Sequence, residues 1–173
     1  MVFPLPDDLT SLAISQPALL YKTLFEAAWA TLNQFGKTEQ MQLGMIAILH
    51  TWGQNLSLHP HLHCIVPGGG INKQGKWRAK IKSDKYLFCV KAMSVVFRAK
   101  FVALLRASGI KDQDLMDKLF TKNWVVYAKR PFGGPKQVIE YLGRYTHKVA
   151  ISNHRIKEVT DHEVRFGYKD YRK

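Results

Sequence analysis

Residues 59–70, His-Pro-His-Leu-His-Cys-Ile-Val-Pro-Gly-Gly-Gly, constrain the fold of this chain more than any other stretch. Side chains alternate across an extended strand, so His61 and His63 share one face while Leu62, Cys64 and Val66 occupy the other. Two imidazoles on one face can grip a metal ion. The competing reading is plainer, since a single histidine in a core is ordinarily hydrogen-bonded filler. Cys64 alternates toward the core beside Leu62 and is read as packing, not as a ligand.

The chain has 173 residues, enough for one domain with a proper core, and residues 1–173 are read as a single domain. Runs such as Met45–Leu49 and Phe101–Leu105 are too short to cross a bilayer, and the first residues, Met-Val-Phe-Pro-Leu-Pro, lack the basic region and cleavage site of a signal peptide. The expectation is a soluble protein of the bacterial cytosol or nucleoid. Cys64 and Cys89 are the only cysteines, which fits reduced thiols and excludes a disulfide scaffold or a four-cysteine zinc site within this sequence.

The net charge of +13 is unevenly distributed. Residues 1–60 carry two lysines against four carboxylates, a balance of −2, and the remainder carries 24 basic and nine acidic groups, a balance of +15. Every arginine follows the histidine cluster. The cations, among them Arg78, Arg130, Lys136, Arg144 and Lys148, are interleaved with Trp77, Tyr86, Tyr127, Phe132, Tyr141 and Tyr145. That combination suits a nucleic-acid groove, in which cations track phosphates and rings stack on bases. Solubility, or another acidic partner, is the rival explanation of charge alone.

The periodicities give an α+β pattern. Residues 16–35 are spaced as an amphipathic helix with Gly36 as its stop, and residues 44–52 read as a buried strand that turns back through 54–57 into the histidine strand. Gly68-Gly69-Gly70 and residues 72–75 break the pattern, and residues 77–82 read as a short basic edge strand. Helices are expected over 92–108 and 112–120, a strand over 124–127 and a hairpin over 151–168.

A turn-rich loop, residues 130–135, releases into residues 136–148. Pro135 suits a first helical turn. At about 100° per residue, Val138, Leu142 and Tyr145 form a stripe with Tyr141 at its edge, while Glu140 points away and Gln137, Arg144 and Lys148 flank Tyr141. Both tyrosines are also readable as amphipathic core residues with their hydroxyls at the rim. A metal held by two histidines, a helix presenting hydroxyl nucleophiles and a basic aromatic groove together make a machine for breaking phosphodiester bonds. The metal polarises the phosphate, and a tyrosine oxygen attacks in line and expels a 3′ hydroxyl, leaving a 5′-phosphotyrosine link that a later 3′ hydroxyl can reverse.

These residues carry a family resemblance. His61-Leu62-His63 resembles the histidine-hydrophobe-histidine signature of HUH endonucleases, and Tyr141-Leu142-Gly143-Arg144-Tyr145 resembles the paired tyrosines of their two-tyrosine branch. The wider wording, residues 49–54 and 59–63 with residues 141–148, is similar to the rolling-circle insertion-sequence transposases, and the likeness runs from Phe3 to Tyr171. The resemblance implies a central antiparallel sheet flanked by helices, with a ferredoxin-like or RNA-recognition outline. It further implies single-strand DNA nicking and strand transfer at transposon ends, a magnesium or manganese ion on His61 and His63, and Tyr141 and Tyr145 as nucleophiles. Zinc would also suit imidazoles. Arg130, Lys136, Arg144, Lys148, Arg78 and Trp77 are the candidate DNA contacts.

HUH enzymes usually add a third protein ligand. Gln54 and His59 rank first for it, ahead of His50, Gln137 and His147, with Glu140 disfavoured by its outward direction. His154 and His162 are read as surface residues of the C-terminal hairpin. Relatives of this type generally begin with a cysteine-rich zinc segment and continue beyond the last strand pattern, so a catalytic-domain fragment is expected. A replication initiator or conjugative relaxase would share the chemistry. A non-catalytic nucleic-acid-binding remnant would share only the surface.

Overall fold

The computed structural model describes residues 1–53, 55–80, 86–146 and 151–169, apart from the side chains of 144–146. Its first half contains β1 (Val2–Pro4), α1 (Thr10–Ser15), α2 (Pro17–Thr38), β2 (Met41–Gln42), β3 (Ile46–Trp52) and β4 (Leu58–Ile65). β5 (Gly69–Asn72), β6 (Trp77–Ala79), α3 (Val90–Ala107), α4 (Gln113–Thr121), α5 (Pro135–Thr146), β7 (Ile156–Val159) and β8 (Val164–Phe166) follow. The architecture is α+β, as the periodicities predict. Among the described helices none is long and apolar enough to cross a membrane.

The sheet that positions the site has the order β1-β4-β3, antiparallel throughout. Alternation along β4 sorts its side chains: Leu62 and Cys64 are fully buried, while His59, His61 and His63 are half-buried on the opposite face. The register puts Phe3 and Leu49 opposite Leu62, and these apolar groups share one face. α2 contributes Leu20, Leu24, Ala27, Ala28 and Leu32 to the core, and α3 contributes Met93, Phe97, Phe101 and Leu105. The Phe3 and Phe97 rings meet edge to face at 5.0 Å, tying α3 to β1. Burial pushes the Cys64 thiol up to about 12, so it packs as an inert apolar group.

Several expectations are corrected. Gly36 does not stop the helix; α2 continues to Thr38 and the chain turns at Gln40, whose φ is +55°. Glycine is needed at 36 because a Cβ there would lie 2.8 Å from the Met41 carbonyl oxygen. Gly69 and Gly70 do not break the chain but build β5, in a second sheet of order β2-β5-β6. A Cβ on Gly70 would lie 2.5 Å from the Gln42 carbonyl oxygen, so the glycines permit close strand approach. β3 is half-buried instead of buried, because it is the outer strand of its sheet among the described residues. Residues 124–127 form no strand of their own; Tyr127 makes one two-bond bridge to Val2 beside β1, with N···O distances of 2.7 and 3.0 Å.

The remaining elements end where local chemistry stops them. The Asp112 carboxylate caps α4 by accepting from the Leu115 N–H at 2.9 Å. The β5–β6 turn uses Gly75 at φ +74°, with Asn72 Oδ1 accepting from the Gln74 and Lys76 N–H groups. β7 and β8 form the expected C-terminal hairpin, on which His162 is exposed, as is His154 just before it.

Candidate functional site

The face of the sheet opposite the core holds the site. His61 and His63 stand two residues apart on β4, and the β3–β4 ladder places His50 directly opposite His61. Ring centroids are 5.0 Å apart for His61 and His63 and 4.7 Å for His50 and His63. Each of the three offers a nitrogen, and these nitrogens all lie within 4.8 Å of one another. Three imidazoles so grouped fit a divalent metal ion.

Among the described residues His50 therefore takes the third position in this cluster, ahead of His59. His59 shares the face, but its Nδ1 lies 3.8 Å from the Asp7 carboxylate and it stands outside the group. Gln54 and His147 lie outside the described residues. The sequence does contain the signal for His50, because a tight antiparallel return from β4 brings that position back beside His61. A register shift between His50 and Trp52 hides it from counting back through the turn.

The protonation states suit ligation. His61 Nδ1 lies 2.6 Å from the His59 carbonyl oxygen; a carbonyl only accepts, so Nδ1 carries the proton and Nε2 keeps a lone pair. Burial holds His61 down to about 4. Burial, with His61 and His50 as like-charged neighbours, holds His63 down to about 3. Both rings are thus neutral at neutral pH.

α5 brings the hydroxyl. Its N-terminal loop is closed by Gln137, whose Oε1 accepts from the Gly133 N–H at 2.7 Å. The helix turns Val138, Tyr141 and Leu142 inward to half-burial, leaving Ile139 and Glu140 exposed. The Tyr141 hydroxyl lies 2.8 Å from His63 Nδ1. The Phe132 ring sits 5.2 Å from that of Tyr141. Tyr145 lies four residues further along the same helix, and its side chain and that of Arg144 fall outside the described residues, as does all of Lys148.

Next to this tyrosine a cleft of about 430 Å³ opens between the end of β4, the 127–132 loop and α5. Arg130 lines it. Lys136 is exposed in the first turn of α5. Trp77 and Arg78 are exposed on β6 in the second sheet, with Arg78 3.6 Å from Glu39, which also pairs with Lys80. Of the candidate DNA contacts among the described residues, Arg130 alone lines the cleft shared with His63 and Tyr141.

Comparison with known proteins adds sequence relatives. Residues 44–173 match the Y2_Tnp family, whose description is "Putative transposase". The chain is 41% identical over 192 residues to the "Putative transposase y4qJ" of Sinorhizobium fredii, covering 99% of this chain and 48% of that protein. It is 26% identical over 194 residues to the "Transposase for insertion sequence element IS801" of Pseudomonas savastanoi pv. phaseolicola, covering 99% and 44%. The chain thus spans about half the length of the curated relatives it matches. Among solved structures it is similar to the conjugative relaxase TrwC in complex with oriT DNA, at 15% identity and a TM-score of 0.47, covering 88% of this chain and 59% of that one.

Proposed function

From the premise that this chain belongs to the Y2_Tnp family of transposases, we propose that it is the nuclease part of a DNA transposase that nicks single-stranded DNA and transfers the strand through a 5′-phosphotyrosine. The observation that carries the reading is the 2.8 Å approach of the Tyr141 hydroxyl to His63, a member of the three-histidine cluster. A structural tyrosine needs only some hydrogen-bond partner, not one that belongs to a cluster of three histidines. A tyrosine nucleophile needs the latter.

His50, His61 and His63 are assigned the divalent ion, magnesium or manganese. Once bound, it supplies Lewis-acid polarisation of the scissile phosphate and neutralises charge on its oxygens. The His59 carbonyl holds the His61 ring with its Nε2 lone pair available. His63 Nδ1 orients the Tyr141 oxygen, and a proton carried on that nitrogen favours the phenolate by hydrogen bonding. With the phenol proton released to solvent, the Tyr141 oxygen attacks phosphorus in line; the Oη–P bond forms as the bond to the 3′ oxygen breaks, and that oxygen leaves as a hydroxyl after taking up a proton from solvent. Because the phosphotyrosine conserves the bond, a second 3′ hydroxyl can reverse the step and join strands. Tyr145 is assigned the partner transfer, and Arg130, Lys136, Arg144, Lys148, Arg78 and Trp77 the hold on the strand, by phosphate contact and base stacking.

The test is incubation with single-stranded oligonucleotides and manganese, followed by a denaturing gel. A covalent protein–DNA adduct is expected, lost in the Tyr141→Phe/Tyr145→Phe double variant. No adduct with any strand of a randomised pool, or an adduct that survives the double variant, overturns the mechanism.

A further inference from the structure

The cleft beside Tyr141 has a lining unlike a phosphate track. Its lining is mostly apolar and includes Val66, Pro67, Leu87, Phe132, Val138 and the Tyr141 ring. Its cationic side chains, Lys129 and Arg130, belong to the 127–132 loop. At about 430 Å³ it lies within the roughly 300–1,000 Å³ range of small-ligand pockets. His63 and Tyr141 belong both to this cleft and to the hydrogen bond at the histidine cluster, so the cleft adjoins the cluster. Phe132 and Tyr141 present rings 5.2 Å apart, tilted by 57°.

We propose that this cleft is a nucleobase subsite, which takes one unstacked base of a nucleotide flanking the phosphate at the histidine cluster. The assignment rests on the reading of the chain as a single-strand nuclease. A flat heteroaromatic ring is the occupant that matches an apolar, ring-lined pocket with cations on one loop, since its faces stack while its own phosphate stays at the basic loop. A neutral aliphatic occupant would leave the cations unpaired. With one base held in the cleft, the next phosphate along the strand has only a short path to the Tyr141 hydroxyl, so the subsite would fix which bond is cut.

Two readouts test this on the full chain in EDTA, where no strand is cut. The probe is a fluorescein-labelled single-stranded pool with every thymine replaced by 5-iodouracil. Irradiation is expected to cross-link the pool to Phe132, Tyr141 or Tyr127, as read by peptide mass spectrometry, and Val66→Trp, which fills the cleft, should abolish those links. Phe132→Ala should weaken binding about fivefold or more by fluorescence anisotropy, the lower end for one lost base–aromatic stack, and Phe132→Trp should restore it. Binding with cross-links confined to other sites such as Trp77, or unchanged affinity in Phe132→Ala, overturns the subsite and leaves the nuclease reading standing. No binding of the pool at all overturns both. Should Val66→Trp lose its native circular dichroism, the Phe132 pair of variants, on an exposed loop, decides alone.

Discussion

Across the β3–β4 ladder His50 sits directly opposite His61, and its ring approaches that of His63 to 4.7 Å. His59, adjacent to these residues in sequence, is turned toward Asp7 instead. Membership of the three-histidine cluster therefore depends on strand pairing as well as on closeness along the chain. His50→Ala should weaken manganese binding, read by isothermal titration calorimetry, by about a hundredfold or more, beyond the roughly 10–100-fold typical of outer partners. His59→Ala should leave it within about threefold, because the His59 group that orients His61 is its backbone carbonyl. Equal losses in the two variants would restore His59 as a ligand.

Tyr141→Phe removes one oxygen and nothing else. Loss of the hydrogen bond to the half-buried His63 imidazole should cost about 0.5–1.5 kcal/mol in a urea titration. Adduct formation at the first-cut site should be lost altogether. A variant that keeps the activity would remove Tyr141 as the nucleophile of that cut, and one that fails to fold would show that the hydroxyl is there for structure.

Acid should destabilise the chain through its histidines. His61 and His63 are held down to about 4 and about 3 in the folded state against an ordinary 6.5. Between those limits the unfolded chain binds more protons than the folded one, so stability is full above about pH 6.5 and declines as pH falls toward 4 and 3. Melting temperature in EDTA should thus drop between pH 7.5 and pH 5, and the drop should be smaller in the His61→Gln/His63→Gln variant. Parallel pH profiles would contradict this.

The second sheet depends on its glycines. Gly70→Ala places a methyl 2.5 Å from the Gln42 carbonyl oxygen and 3.0 Å from Met41 Cβ. Overpacking of this kind costs about 1–3 kcal/mol, and the urea midpoint should fall accordingly. A neutral effect would mean that β2 and β5 separate easily.

Arg130 offers an electrostatic test. If it meets one phosphate at the cleft, Arg130→Gln should weaken single-strand binding across all sequences and lower the slope of log affinity against log salt by about 1. An unchanged slope, measured by anisotropy across a salt series, would remove Arg130 from the DNA path.

The alternation of β4 and the stripe on α5 are legible because each depends on a period that the sequence displays directly: two for Leu62, His63 and Cys64, and 3.6 for Val138, Tyr141 and Leu142. What the sequence hides depends on a second segment. Gly36, Gly69 and Gly70 resemble stop signals until the strands crowding them are seen. His50 is masked by one irregular residue in a ladder. Residues 124–127 have a strand's composition, yet a neighbour only three residues long, β1, gives them a single bridge.

The three clustered histidines fall within a fourteen-residue span of one hairpin, whereas the hydroxyl that meets them comes from 78 residues away. Closing the short loop costs far less chain entropy than closing the long one. Cation capture and nucleophile delivery are therefore separable inheritances: a descendant that loses α5 would keep its ion site intact, while no change confined to α5 could create one.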